Sequence, residues 1–197
     1  MSSSRPAHLD DWLRAVLETP GLTALRDPAE ARRVLVDDSL RAVPLLDGLG
    51  DPIVDVGSGG GAPGIPLAVE LPGRQIVLLE SQRRKCSFLE RWAPANAGVV
   101  CGRVEEQETD WAGAVVAKAL APPPVAAEWC LPLARPGGAV LLFVGETADP
   151  AAVARVSAQV GGGVPEDHDG LLLIPKVAPT PPGFPRRPGM ARKRPLA

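Results

Sequence analysis

The chain has 197 residues, 45% hydrophobic and 22% charged, with a formal net charge of −2. That composition suits one domain with a full core and argues against wholesale disorder. No apolar run reaches the roughly eighteen residues of a membrane-spanning helix, and the polar start followed by the charged stretch His8 to Glu18 lacks a secretory pattern, so a cytoplasmic protein with no membrane contact is expected. Cys86, Cys101 and Cys130 form neither a C-x-x-C pair nor a His/Cys cluster, so no metal site is expected, and three separate thiols in a reducing compartment are favoured over a disulfide framework.

Leu9, Trp12, Leu13, Val16 and Leu17 recur at helical spacing over residues 8–18, and Pro20-Gly21 ends that helix. Asp27 is a candidate N-cap, with Pro28 at the first helical position and Glu30 at the capping-box position, for a helix running to about Val43. Ile53 to Val56 reads as a short buried strand, Pro63 to Glu70 as a helix and Gln75 to Glu80 as a second strand. Ser81 is placed to cap a helix reaching about Asn96. Strands at Val99 to Cys101, Ala114 to Lys118 and Ala139 to Val144 follow, with a Pro-initiated helix over Pro122 to Leu133 between the last two. Ala148 to Val160 reads as helix and Gly170 to Ile174 as a late strand. Continuously apolar strands alternating with helices predict an α/β fold with a doubly wound, mostly parallel sheet. Three segments are expected: an N-terminal helical extension (1–50), the core (51–176) and a Pro-rich tail (177–197).

Between the first strand and the next helix lies Asp55-Val56-Gly57-Ser58-Gly59-Gly60-Gly61-Ala62-Pro63-Gly64. Glycines allow a sharp turn and close approach of a ligand to the backbone, and the helix start offers free N–H groups. A G-x-G pattern alone is shared with dinucleotide folds. Three details favour S-adenosylmethionine (AdoMet). Asp55 precedes the loop and can organise its amides or face a cation. Pro63 suits a helix start better than a pyrophosphate clamp. Glu80 ends the next strand, 23 residues past Gly57, where a carboxylate can accept both ribose hydroxyls.

Several blocks resemble the small-subunit ribosomal RNA methyltransferase G family: DVGSGGGAPGIPLAVELPG (55–73), IVLLESQRRKCSFLER (76–91), GRVEE (102–106), AKALAPPPVAAEWCLPLARPGGAVLLFVG (117–145) and the tail APTPPGFPRRPGMARKRPL (178–196), with LTALRDPAEARRVLVDDSL (22–40) before them. The resemblance implies a Rossmann-like class I AdoMet-dependent methyltransferase acting on N7 of a guanine in 16S ribosomal RNA, with the RNA or the small ribosomal subunit as partner and a monomer as the working form. It also implies cofactor contacts at Gly57, Ala62, Val104, Glu105 and Lys118, beside Asp55, Gly59, Gly61 and Glu80 of the loop and second strand. Lys118, at the end of the fourth strand, is the candidate catalytic residue. The chain departs from the family pattern at Lys118 (usually Arg), at Ala62 (usually larger), at Val144 (usually Lys) and before Asp38, where a His is absent.

Guanine N7 is already nucleophilic, so a methyl acceptor of this kind needs no general base, in keeping with only two histidines, His8 and His168, outside these motifs. Six of the 21 basic residues lie from Lys176 onward with no acid among them, leaving the preceding body with eight more acids than bases. Such a tail suits either a polyanion contact or a solvated terminus. For the RNA substrate, Arg83, Arg84, Lys85, Lys118, Arg186 and Arg187 are the expected basic mouth. Two other readings fit the same residues: a paralogue methylating a small molecule, and a non-catalytic AdoMet-binding module. Trp12, Trp92, Trp111 and Trp129 are expected mainly as packing residues.

Overall fold

The computed structural model describes residues 5–145 and 149–197. Seven strands form one sheet in the order β3-β2-β1-β4-β5-β7-β6: β1 Ile53–Val56, β2 Ile76–Glu80, β3 Ala97–Cys101, β4 Ala112–Lys118, β5 Ala134–Phe143, β6 Glu166–Asp167 and β7 Leu171–Pro175. The first five strands pair in parallel. β7 runs antiparallel to both β5 and β6. The expected doubly wound, mostly parallel sheet is what forms. β6 has only two residues, too short to leave a pattern in the sequence.

Alternation along the strands divides the interior in two. Ile53, Leu78, Ala114, Val116 and Leu141 face a core shared with helices α1 (Arg5–Glu18), α5 (Gly64–Glu70) and α6 (Arg83–Trp92). Val54, Val56, Leu79, Val115 and Val140 face the other, shared with α7 (Pro123–Cys130) and α8 (Pro150–Gln159). Order reverses between β1 and β4, so these strand ends frame the crevice where doubly wound sheets bind ligands. Among the described residues, no helix is long and apolar enough to cross a membrane.

Local chemistry explains most element ends. Asp27 does cap α2 (Pro28–Arg32), its carboxylate accepting from Glu30 N at 2.8 Å. The helix expected to about Val43 runs without a gap through α2, a π turn (Arg33–Asp37) and α3 (Asp38–Leu40), and a two-residue turn separates it from α4 (Val43–Leu46). Ser39 Oγ donates back to Leu35 O at 2.8 Å across the junction, a bond that bends helices. Ser81 does not cap α6. The free N–H at Gln82 is taken by Glu80 Oε1 at 2.9 Å, and the helix stops at Trp92, short of Pro94. α8 starts at Pro150 behind an Asp149 cap; Ala148, the expected start, lies outside the described residues.

One expectation about single residues fails. Cys86 and Cys101 are joined in a disulfide rather than remaining separate thiols. The β2–α6–β3 crossover brings them to a Cα separation of 5.8 Å across 15 residues of sequence, a proximity that linear spacing hides. Cys130 remains a buried free thiol, its pKa pushed up by desolvation. The basic tail is not simply solvated. Arg186 grips Glu128 of α7 with both arms of its fork, Nε and Nη2 each 2.6 Å from a carboxylate oxygen. Lys176 is fully buried, and its ammonium donates to Leu131 O and Thr180 Oγ1 and pairs with Asp110. A short helix, α9 (Met190–Lys193), then packs Ala191 against Val125 and Trp129.

The Arg186–Glu128 pair yields a stability prediction. Glu128 is 3% exposed, so Arg186→Met strands a buried carboxylate and is expected to cost about 3 kcal/mol in denaturant unfolding. Arg187→Met, at an exposed neighbour, should cost under about 0.5 kcal/mol.

Candidate functional site

β1 delivers its chain to the glycine loop, and β2 holds the loop in place. Gly57 N and Ser58 N both donate to Leu79 O, at 2.8 and 3.2 Å. Gly57 has φ +71°, which demands glycine on conformational grounds, and a Cβ there would also push aside Leu120 Cδ1, 2.4 Å away. Gly64 is required for another reason: a Cβ would meet Leu78 Cδ2 at 2.3 Å and Asp55 Oδ2 at 2.7 Å. In its absence Asp55 Oδ2 accepts from Gly64 N at 3.0 Å, fastening the start of α5 to β1. Trp12, fully buried on α1, donates its indole N–H to Gly60 O at 2.8 Å. It is a packing residue with one directed bond to the loop.

Glu80 is 5% exposed. Its Oε2 accepts from Gly59 N at 3.0 Å and its Oε1 from Gln82 N at 2.9 Å. Two backbone donors therefore fix the carboxylate, Ser81 Oγ donates a longer bond to Oε1 at 3.5 Å, and Oε2 keeps a lone pair available. Beside it opens a cavity of about 350 Å³ at the carboxyl ends of β1, β2 and β4, within the size range of small-molecule sites. Gly57, Glu80, Val104 and Glu105 line it, as do Lys85, Arg103, Leu120, Trp129, Gly189 and Arg192. Val104 and Glu105 sit on a 3-10 turn (Val104–Glu106) that follows β3. The Glu105 carboxylate accepts from Gly189 N at 3.0 Å and lies 3.6 Å from Arg103 Nε.

The structure thus brings Gly57, Glu80, Val104 and Glu105 together around one space. Asp55 and Gly59 stand directly behind that wall. Gly61 and Ala62 lie toward α1, where a Cβ on Gly61 would meet Ile65 and Trp12 and where Ala62 packs on the core. Lys118 does not border the cavity. Its Nζ reaches Asp38 Oδ2 at 2.6 Å, donates to Val34 O and sits 5.2 Å from the centroid of Phe143. Burial lowers its pKa, partly opposed by Asp38. Its parity in β4, shared with Ala114 and Val116, points it to the α1 face, a signal present in the sequence. Of the expected basic mouth, Arg186 is committed to Glu128, whereas Arg83, Arg84 and Arg187 are exposed. Among the described residues no group of acids, histidines and cysteines is arranged to hold a metal.

Several cavity residues carry no site signal in the sequence, among them Arg103, Ala119, Leu120, Gly189 and Arg192. Trp129 is the packing residue its type suggests, 7% exposed, yet it also forms part of the cavity wall.

The match to known proteins is extensive. The family model described as rRNA small subunit methyltransferase G covers residues 8–163. The chain belongs to this family. It is 38% identical over 178 residues to ribosomal RNA small subunit methyltransferase G of Pelotomaculum thermopropionicum, covering 80% of this chain and 74% of that protein. It is 36% identical over 217 residues to that of Symbiobacterium thermophilum, covering 96% and 87%. The T. thermophilus 16S rRNA N2 methyltransferase RsmC, solved with AdoMet and guanosine, superposes with a TM-score of 0.57 at 19% identity over 83% of this chain and 43% of that one. The antibiotic-resistance methyltransferase Kmr superposes at 0.51 with 16% identity, over 71% and 93%. These likenesses establish the class I methyltransferase fold.

Asp55 gives the site a pH dependence. Its Oδ1 is buried without a hydrogen-bond partner, and desolvation above all, with a lesser push from Glu80, raises its pKa to about 7. A carboxyl raised in the folded state stabilises the fold fully below the ordinary aspartate range, and that contribution is lost as pH rises through about 7. Thermal unfolding from pH 5 to 8 should therefore show the wild type losing stability relative to Asp55→Asn, which cannot ionise; parallel curves would mean that Asp55 does not titrate there.

Proposed function

We propose that the protein methylates N7 of a guanine in 16S ribosomal RNA, using AdoMet held in the cavity beside Glu80. The observation that carries the cofactor assignment is the Glu80 carboxylate, pinned by Gly59 N and Gln82 N at the cavity wall. It can accept a pair of vicinal hydroxyls without moving. Asp55, buried behind the loop, serves the site indirectly by accepting from Gly64 N and so fixing the start of α5. AdoMet supplies an electron-deficient methyl on a sulfonium centre. The protein's own work is then orientation and exclusion of water. Val104 and the turn that carries it offer an apolar edge and backbone groups for a base, and Leu120 packs against Gly57 at the mouth.

No side chain need remove a proton from guanine N7. His8 is engaged with Trp92 O, and His168 lies beside Glu166; neither lines the cavity. Lys118 acts as a positioning residue. Its ammonium ties Asp38 and Val34 of the N-terminal segment to the end of β4, shaping the approach of the acceptor base. The target must be unstacked to enter. Exposed Arg83, Arg84 and Arg187 supply phosphate contacts, making RNA binding salt-dependent. The working form is a monomer in the cytoplasm acting on the small subunit.

The decisive test uses labelled AdoMet with 30S subunits, free 16S RNA and small-molecule pools from cells lacking the family enzyme. Label is expected as 7-methylguanosine at one site of the RNA; label confined to small molecules would overturn the acceptor assignment. Glu80→Ala removes the hydroxyl acceptor and strands two N–H groups, so AdoMet affinity should fall at least about tenfold. Lys118→Ala should lower kcat while leaving AdoMet affinity within about twofold.

A further inference from the structure

The sheet and its crossovers build three sides of the cavity. The fourth comes from the end of the chain. Gly189, with φ +79°, turns into α9 and donates its N–H to Glu105 Oε1 at 3.0 Å. Two residues on, Ala191 closes a small apolar cluster with Val125 and Trp129, against which Val104 and Leu120 also pack. Arg192 then lays its guanidinium 5.0 Å from the centroid of the Trp129 ring and reaches Leu120 O at 3.4 Å. Gly189 and Arg192 border the same space as Glu80. The Arg186–Glu128 fork holds the whole turn down.

The chemistry at this end differs from that at Glu80. It offers a planar cation over an indole ring and an apolar floor of Val104 and Leu120. A flat, neutral heteroaromatic ring matches both features. A phosphate matches only the cation, because the apolar floor would desolvate it and the Glu105 carboxylate would repel it.

We propose that the C-terminal turn Gly189–Arg192 is part of the cofactor site. Arg192, stacked on Trp129, closes the cavity over the adenine ring, and Gly189 holds Glu105 in place beside it. This assignment rests on the reading of the cavity as the AdoMet site. It makes the basic tail a cofactor clamp at this point, rather than an RNA contact.

Calorimetric titration of the full-length protein with S-adenosylhomocysteine tests this, alongside 16S RNA binding at several salt concentrations. Arg192 is exposed, so Arg192→Ala should fold and melt as the wild type does. It is expected to weaken S-adenosylhomocysteine about fivefold, while RNA affinity and its salt dependence stay unchanged. Arg192→Lys, which keeps the charge but not the planar fork, should recover only part of the loss. Trp129→Phe, which leaves a smaller ring with a weaker face for Arg192, should weaken the same ligand. Lys193→Ala, the neighbouring exposed charge, should behave as wild type. Wild-type affinity in Arg192→Ala would overturn the proposal, as would a loss of RNA binding with a shallower salt slope, which assigns Arg192 to phosphate. Failure of the wild type itself to bind S-adenosylhomocysteine would instead remove the cofactor reading beneath both.

Discussion

Two backbone N–H groups from different crossovers converge on the Glu80 carboxylate: Gly59 from the loop after β1, and Gln82 from the start of α6. Such charge-assisted bonds are stronger than neutral ones, and a buried carboxylate without them would be costly. The pair of bonds therefore sets the distance between the glycine loop and the second helix. The cavity is the space that this distance leaves. Asp55 performs the matching task one strand away by fastening Gly64 and the start of α5. Two carboxylates on neighbouring strand ends thus organise a loop that has few side chains of its own to hold it.

The two faces of the sheet divide the work. On the α1 side, Trp12 supports Gly60, and Lys118 binds Asp38, so the N-terminal segment is fastened to the loop and to the end of β4. On the α7 side, Arg186 binds Glu128, and Gly189 binds Glu105, so the C-terminal segment is fastened to the wall near β3. The methyltransferase sheet is flanked at its ligand edge by the two ends of its own chain. Substitutions in either terminus can accordingly alter the site without touching the glycine loop.

The charge asymmetry along the chain gains a physical meaning from these contacts. An acidic body and a basic tail read as an invitation to a polyanion. Much of that attraction is satisfied internally: Lys176 with Asp110 and Arg186 with Glu128. Buried pairs of this kind are weak evidence for added stability, but each is expensive to break on one side only. The positive charge left for RNA is consequently smaller than the composition suggests, and it includes the exposed start of α6 and Arg187, Lys193 and Arg194 of the tail.

By itself the sequence determined the α/β alternation, the glycine loop between Asp55 and Gly64, and the acid at the end of β2. These depend on short-range rules: apolar runs of strand length, φ values open only to glycine, and a fixed offset between loop and carboxylate. The family motifs extended that reading to Val104 and Glu105. Tertiary structure decided what depends on distant residues meeting. Cys101 meets Cys86 because a crossover returns the chain beside β2, and β7 runs antiparallel because it inserts beside β5. Strand parity already turns Lys118 away from the cavity, but its pairing with Asp38, 80 residues earlier in the chain, exists only in the fold. The Asp55–Gly64 loop was legible because its geometry is local. The wall made by Trp129, Gly189 and Arg192 was not, because only folding brings residues from two ends of the α7–tail interval to one ligand edge.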